Sequence, residues 1–515
     1  MKEVVGMVEK IGAILLVLSF IFLSISVVPG CIEMSHAFEI AQSYIGDKLL
    51  YDMKMASVWK DDSEENKNYA NGTLYISING TKFVIDGFGR EKEVVEYYMR
   101  ITNNFSSMEN ITYGMWRYYD LENGWLLKYT FRFLNYSQST PPSSLYNRTV
   151  EIYPSTRLYE FFGEIYLGLY GGIAPVDTVC IPFEGKTIRK GDKGIIRMFG
   201  KEIEWKAVDE EKVNGYRCIK VCFSFSYNLS LPSLPFSAAW PNQNVIYNFH
   251  YTIWFSDGFP QIVKMKIILD TNTSYSINLG GGVQTYNMES ESTITLTLKD
   301  SVRGSEPINW GNKGPSFPER ISYGEFGTWS SYPPTGNMSS NISFRIEDAV
   351  DYIKTMNLSY FGQHPDARVL VARYLYGENK WKLIFGDGTE QGFMVALSRG
   401  EDGIGIEESR RINFTRAFDL PANITTLTFS GCEYVAKRYM TLGDNLTLVF
   451  GINSSLLTES VVGLSYIEVN VLYTVSLWGG AGSFYTLPIY IISTDSESVA
   501  IDAETGQVMG HFVMV

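Results

Sequence analysis

The chain has 515 residues, a net charge of -13, 34 tyrosines, 30 phenylalanines and only 19% charged residues. That length exceeds one ordinary hydrophobic core and points to two or three domains, while the aromatic, weakly charged composition leans towards β-structure. An acidic protein does not attract phosphate backbones, which excludes nucleic acid and makes an anionic bilayer surface a poor partner.

Lys10 and Glu33 bracket a charge-free apolar stretch, Ile11 to Ile32. Residues 1–31 therefore read as a signal peptide or a membrane anchor. Within it, Val28, Gly30 and Cys31 resemble a lipobox, which would make Cys31 the site of lipid attachment; an uncleaved anchor that ends at the Pro29-Gly30 breaker is the alternative. Both place the remaining chain on the extracellular side of the cell membrane. Fifteen Asn-x-Ser/Thr sequons, from Asn71 to Asn453, agree with an exported glycoprotein. With glutamine scarce as well, the pattern resembles the lipid-anchored, glycosylated surface proteins of the hyperthermophilic archaeal cell envelope.

A helix is expected from Ser35 to about Met55, because Phe38, Ile40, Ala41, Tyr44, Ile45 and Leu49 recur near a 3.6-residue period. Two Asn-Gly pairs predict hairpins, one over Leu74–Ile85 around Asn79-Gly80 and one over Met115–Phe131 around Asn123-Gly124. A short helix is expected over Ser155–Tyr170, capped by Ser155 and closed by Gly171-Gly172. Strand texture returns over Tyr251–Ile268 and in the alternation Thr293-Ile-Thr-Leu-Thr-Leu298, which implies one wet and one buried face. Prolines and glycines then crowd residues 301–341, a linker. Beyond it comes an apolar helical stripe of Ile346, Ala349, Val350, Ile353 and Met356. Strands are expected at Arg368–Tyr376, Lys380–Phe385, Gly392–Leu397, Tyr466–Leu477 and Tyr485–Ile492. The expected fold class is β-rich α+β, divided into an antiparallel β domain (32–300), the linker and a C-terminal α+β domain (342–515).

Cys180, Cys218, Cys222 and Cys432 form an even set in a compartment that permits disulfides. On one strand Cys218 and Cys222 stand about 13 Å apart, too far to bond each other. A bridge from Cys180 to Cys218 or to Cys222 is expected. No Cys-x-x-Cys spacing or neighbouring histidine suggests zinc.

Two stretches resemble known families. Val208–Val221, followed by Tyr251–Met265 with its Gly258-Phe-Pro260 turn, resembles paired strands of the LolA-like and LppX-like lipoproteins. That resemblance implies a half-open, curved antiparallel sheet, a half-barrel that wraps short helices and shelters acyl chains. Ala500-Ile-Asp-Ala-Glu-Thr-Gly-Gln-Val508 resembles the closing hairpin of PepSY-type modules, and Ser343–Met356 their opening helix. This second resemblance implies an interaction domain without catalytic residues.

Enzyme signatures are missing. The four histidines are isolated and none begins His-Glu-x-x-His. Gly463-Leu-Ser-Tyr-Ile467 lacks the second glycine of a nucleophile elbow. Gly185-Lys186-Thr187 lacks the upstream glycine of a phosphate loop, and no calcium loop or dinucleotide spacing occurs. No catalytic residue, metal or cofactor is therefore expected. The most suggestive segment is the proline-broken apolar loop Leu231–Pro241, whose Leu231, Leu234, Phe236 and Trp240 either lid an apolar groove or fold back on the core. The expectation is a non-enzymatic, membrane-anchored extracellular protein that holds a lipid or other apolar ligand. The alternative is a structural or protein-interaction component of the envelope, without a small-molecule ligand.

Overall fold

A computed structural model describes residues 36–60, 65–105, 111–135, 148–153, 180–198, 201–231, 242–278, 283–311, 326–329, 342–356, 358–414, 417–421, 424–443, 445–457, 463–478 and 487–514. Its centre is a twenty-stranded antiparallel sheet. In chain order the strands are β1 (Lys48–Lys60), β2 (Glu65–Ile85), β3 (Glu91–Phe105), β4 (Ile111–Asp120), β5 (Leu126–Asn135), β6 (Arg148–Ile152), β7 (Lys193–Met198), β8 (Lys201–Val213), β9 (Tyr216–Leu231), β10 (Asn242–Ser256), β11 (Ile262–Asn278), β12 (Val283–Val302), β13 (Arg368–Leu375), β14 (Lys380–Gly386), β15 (Gln391–Gly400), β16 (Gly403–Asn413), β17 (Thr447–Gly451), β18 (Ile489–Ser493), β19 (Glu497–Asp502) and β20 (Val508–Met514). Pairing runs from β7 in sequence to β12, crosses to β1, and continues to β6. There β6 pairs with β20, and the sheet goes on through β19, β18, β17, β13, β14 and β15 to β16.

Alternation explains the first half of this sheet. Ile294, Leu296 and Leu298 of β12 are buried, whereas Thr293, Thr295 and Thr297 are half-buried on the other face. The inner face, by that parity, carries the apolar side chains and the outer face the polar ones. Strands β17 to β20 are instead buried on both sides over most of their length, and Ile489–Ser493 hides every residue. Helix α4 (Tyr466–Trp478) covers the face of Gly510, where an added Cβ would lie 2.7 Å from Val475 Cγ2. On the opposite face helix α3 (Phe429–Ala436) sets Phe429 against Trp381 and Tyr490, with ring centroids 5.7 Å apart in both pairs. Helices α1 (Ile346–Thr355) and α2 (Ser359–Gln363) precede them in the chain. The α1 stripe buries Ile346, Ala349, Val350 and Ile353, but Met356 lies past its end and is 45% exposed.

Three expectations fail on particular interactions. The stretch expected to be a helix from Ser35 is extended, with short strands at Phe38–Glu39 and Tyr44–Ile45 before β1. Tyr51 and Met53 are buried while Lys48, Asp52 and Lys54 are exposed, a period of two that the earlier apolar spacing concealed. Asn79-Gly80 does not turn the chain: β2 runs through it, and the pair forms a bulge opposite Glu96 with Gly80 at φ +137°. The turn comes at Asp86, whose Oδ1 accepts from the N–H groups of Phe88 and Arg90, both at 2.9 Å. Residues 466–477, expected as strand, form α4. Its Ser465-Tyr-Ile-Glu468 start is a capping box, with Ser465 N–H donating to Glu468 Oε2 at 2.5 Å and Glu468 N–H donating to Ser465 Oγ at 3.4 Å. The same buried carboxylate holds Arg373 at 3.0 Å.

The Asn123-Gly124 hairpin forms between β4 and β5 with Gly124 at φ +74°. Tyr251–Ile268 is two strands, β10 and β11, that turn at 257–261. The expected helix over 155–170 lies outside the described residues, as does most of 301–341; Glu306–Pro307 pairs with Tyr44–Ile45, and Phe326–Trp329 with Ile424–Leu427.

A charge cluster sits at the seam between β6 and β20. His511, 6% exposed, places Nδ1 3.3 Å from Glu151 Oε2 and Nε2 3.1 Å from Glu497 Oε2. Glu151 also accepts from Tyr153 Oη at 2.9 Å and pairs with Lys128. Burial alone would push the Glu151 carboxyl up, but the His511 hydrogen bond and the Lys128 charge together outweigh it and hold it at about 2. A depressed carboxyl contributes stability that is complete above its ordinary value near 4.5 and lost as pH falls towards 2. The displacement corresponds to roughly 3 kcal/mol. Urea unfolding between pH 6 and pH 2 should show that loss in the wild type, and Glu151→Gln should be less stable at pH 6 with a flatter acid limb.

Candidate apolar binding face

On β9 and β10 the inner face carries aromatic rings at every second residue. Phe223 stacks on Tyr251 at 4.8 Å and 11° between planes, Phe225 on Phe249 at 5.0 Å and 20°, and Tyr247 continues the ladder 6.4 Å from Phe249. Register produces the ladder, because Phe223 is opposite Tyr251 and Phe225 opposite Phe249. Across the neighbouring strands the same face presents Met53, Met99, Met115 and Met265, all buried. Methionine side chains adapt to irregular apolar shapes at little cost.

The base of this face is closed by residues 180–188. Phe183 packs its ring 4.8 Å from Phe255 and 5.6 Å from Trp205. Beside it lies a cavity of about 20 Å³, lined among others by Tyr51, Ile76, Ile78, Cys180, Ser43 and Gln261, which has room for about one water. Two of its polar lining residues, Ser43 and Gln261, are bonded within the chain. Gln261 Nε2 donates to Ser43 Oγ at 3.3 Å, Ser43 donates to Glu184, and the Trp310 indole donates to the other Glu184 oxygen at 2.8 Å. Tyr51 donates to the Ile262 carbonyl at 2.9 Å, and burial raises its phenol well above the usual range. Burial also pushes the Asp47 carboxyl up, against the opposing pull of the Gly304 and Tyr44 N–H groups and of Arg303.

The outer face of β9–β11 holds Ser224, His250 and Asp270 in line. Ser224 Oγ is 2.8 Å from His250 Nδ1, and His250 Nε2 is 3.4 Å from Asp270 Oδ2. The backbone there is committed to the β9–β10–β11 ladder, so no turn converges N–H groups on an oxyanion near Ser224. The three are cross-strand neighbours on an open face. A second dyad, His364 Nδ1 to Asp387 Oδ2 at 2.8 Å, has its other nitrogen 3.1 Å from Gln391 Oε1, where a nucleophile would have to stand. Among the described residues no group of three His, Cys, Asp or Glu side chains is placed to hold a metal ion.

The site residues expected from the sequence fall in three places. Cys31, Leu234, Phe236 and Trp240 lie outside the described residues. Leu231 ends β9 opposite Gln243, at the end of the β9–β10 pair towards which the aromatic ladder runs; residues 232–241 lie outside the described residues. Cys180, Cys218, Cys222 and Cys432 are all free thiols, in place of the expected bridge from Cys180. The reason is parity: Cys218 and Cys222 share the face of Lys220, opposite that of Ile219, Val221 and Phe223, while Cys180 lines the cavity on the inner side. The ladder itself was missed, although Phe223-Ser-Phe225 and Tyr247-Asn-Phe-His-Tyr251 carry its alternation openly.

The fold and this face define a protein built on a large antiparallel sheet with one apolar side. No family model matches the chain, and no curated protein does. Among solved structures, a DUF1329 family protein from Desulfovibrio piger ATCC 29098 is 11% identical, with 50% of this chain and 85% of that one covered at a TM-score of 0.20. A beta-barrel-like protein of the domain of unknown function DUF1849 from Brucella abortus is 9% identical, with 50% of this chain and 100% of that one covered at a TM-score of 0.13. Those scores carry no argument about this chain.

Burial pushes the Cys218 thiol up to about 11, and Cys222 is the half-buried member of the four. Alkylation of the native protein without reductant, followed by peptide mapping, should label Cys222 first and release all four as thiols on unfolding; a Cys180–Cys218 or Cys180–Cys222 linked peptide would contradict the placement.

Proposed function

We propose that the protein is a non-enzymatic, membrane-anchored extracellular protein that binds an apolar ligand, a lipid acyl chain above all, against the inner face of β9–β12 and β1–β4. The stacked ladder Phe223–Tyr251–Phe225–Phe249–Tyr247 carries this reading. It is a continuous apolar strip that leads to the loop 232–241, the segment whose Leu234, Phe236 and Trp240 would act as its lid. Phe249 and Tyr251 are buried within the chain, so a ligand has to displace what covers them. A large uptake site is therefore conditional on opening, and the flexible methionines lower the cost of repacking.

The extracellular placement rests on the sequence of residues 1–31 and on the sequons, of which Asn71, Asn79, Asn272, Asn413 and Asn445 are exposed. No helix among the described residues is long and apolar enough to cross a membrane; the expected anchor precedes them. A purely structural or interaction role is the second reading, and the water-sized cavity at the base of the face favours it.

The test is saturable binding of a fluorescent fatty acid. The wild type should bind and be displaced by unlabelled fatty acid. Phe225→Ala, a change to a half-buried ring, should weaken binding about tenfold, the value of losing roughly 1.4 kcal/mol of contact, while Ser224→Ala on the outer face should not. Absence of saturable binding by the folded wild type would support the structural reading.

A further inference from the structure

We propose that His511 makes the β6–β20 seam a pH-sensitive latch, closed while its ring is protonated and loosened when the ring becomes neutral. Both ring nitrogens face carboxylate oxygens, Nδ1 that of Glu151 across the seam and Nε2 that of Glu497 within β19. Only the imidazolium donates at both positions; the neutral ring donates at one and offers a lone pair at the other.

The surroundings decide which contact is lost. Glu151 has two further donors, Lys128 from β5 and Tyr153 just past β6. For the Glu497 carboxylate the ring is the donor at hand. The proton that stays is therefore the one on Nε2, and the Nδ1 lone pair is left against the Glu151 carboxylate. That carboxylate, held at about 2, is ionised at every pH from mildly acidic upward. Repulsion then falls on the pair that bridges the two parts of the sheet, while β19–β20 is spared. Arg148 of β6 stacks on Phe512 and Tyr466 on the opposite side of the strand, away from this contact. The seam is five residue pairs long, so one repulsive contact bears on a large share of it.

Hydrogen exchange of the intact protein, corrected for the intrinsic pH dependence of amide exchange, reads the latch directly. The opening constant of the 148–152 and 508–514 amides should rise about tenfold between pH 5 and pH 8, with the β11–β12 amides unchanged as the internal reference. Glu497→Gln is the decisive variant. Its amide can donate to Nε2, which frees the neutral ring to donate from Nδ1 to Glu151. The seam should then stay shut at pH 8 and its pH dependence should vanish. In His511→Gln the profile should also be flat. A wild-type seam that is flat with pH, or one whose opening persists unchanged in Glu497→Gln or His511→Gln, would overturn the proposal.

Discussion

The pairing of Arg148–Ile152 with Val508–Met514 is the constraint on which the rest of the architecture depends. On one side of it lies the run β7–β12 and β1–β6, and on the other the strands from β20 to β16; this pair turns two sheets into one. Because strand pairing fixes parity, it also aligns the faces: Ile152 and Gly510 are opposite one another on the side that α4 covers, and Glu151 and His511 on the other. A slip of one residue would reverse that assignment and set the charged cluster against the apolar core. The ion cluster of Glu151, His511, Glu497 and Lys128 forms only in this register.

That junction separates two ways of burying a sheet. Strands β17 to β20 are buried on both faces, with α4 on one side and α3 on the other. The N-terminal strands alternate, and their inner face gathers rings and methionines into a surface whose chemistry suits an apolar guest. At its base the polar groups Ser43, Glu184, Gln261 and Trp310 satisfy one another. Because Phe249 and Tyr251 are buried, access to the ladder is governed by how readily their cover is exchanged.

Sequence reasoning reached the β-rich class, the Asn123-Gly124 hairpin, the Thr293–Leu298 alternation and α1, because each rests on a local periodicity or a turn residue. It failed where tertiary contacts override local pattern. Asn79-Gly80 has the chemistry of a tight turn, but pairing of β2 with both β1 and β3 draws it straight through as a bulge. The apolar residues of 38–49 fit a helical period only by chance, since they belong to two short strands and the start of β1. Helix α4 is apolar on most sides because it is covered by sheet, so its amphipathic signal is weak; the Ser465-x-x-Glu468 box was the available sign. The cysteine pairing failed for want of one fact, which side of β9 faces Cys180. As for the candidate site, the segment 231–241 was legible as an apolar oddity, whereas the aromatic ladder needs the β9–β10 register to become a surface.

The most direct measurement is native mass spectrometry of the protein purified from its own host, before and after organic extraction. The account predicts a reproducible extractable mass in the lipid range, lost from the complex on extraction and restored on adding the lipid back. A mass explained by polypeptide and glycans alone, unchanged by extraction, would contradict it.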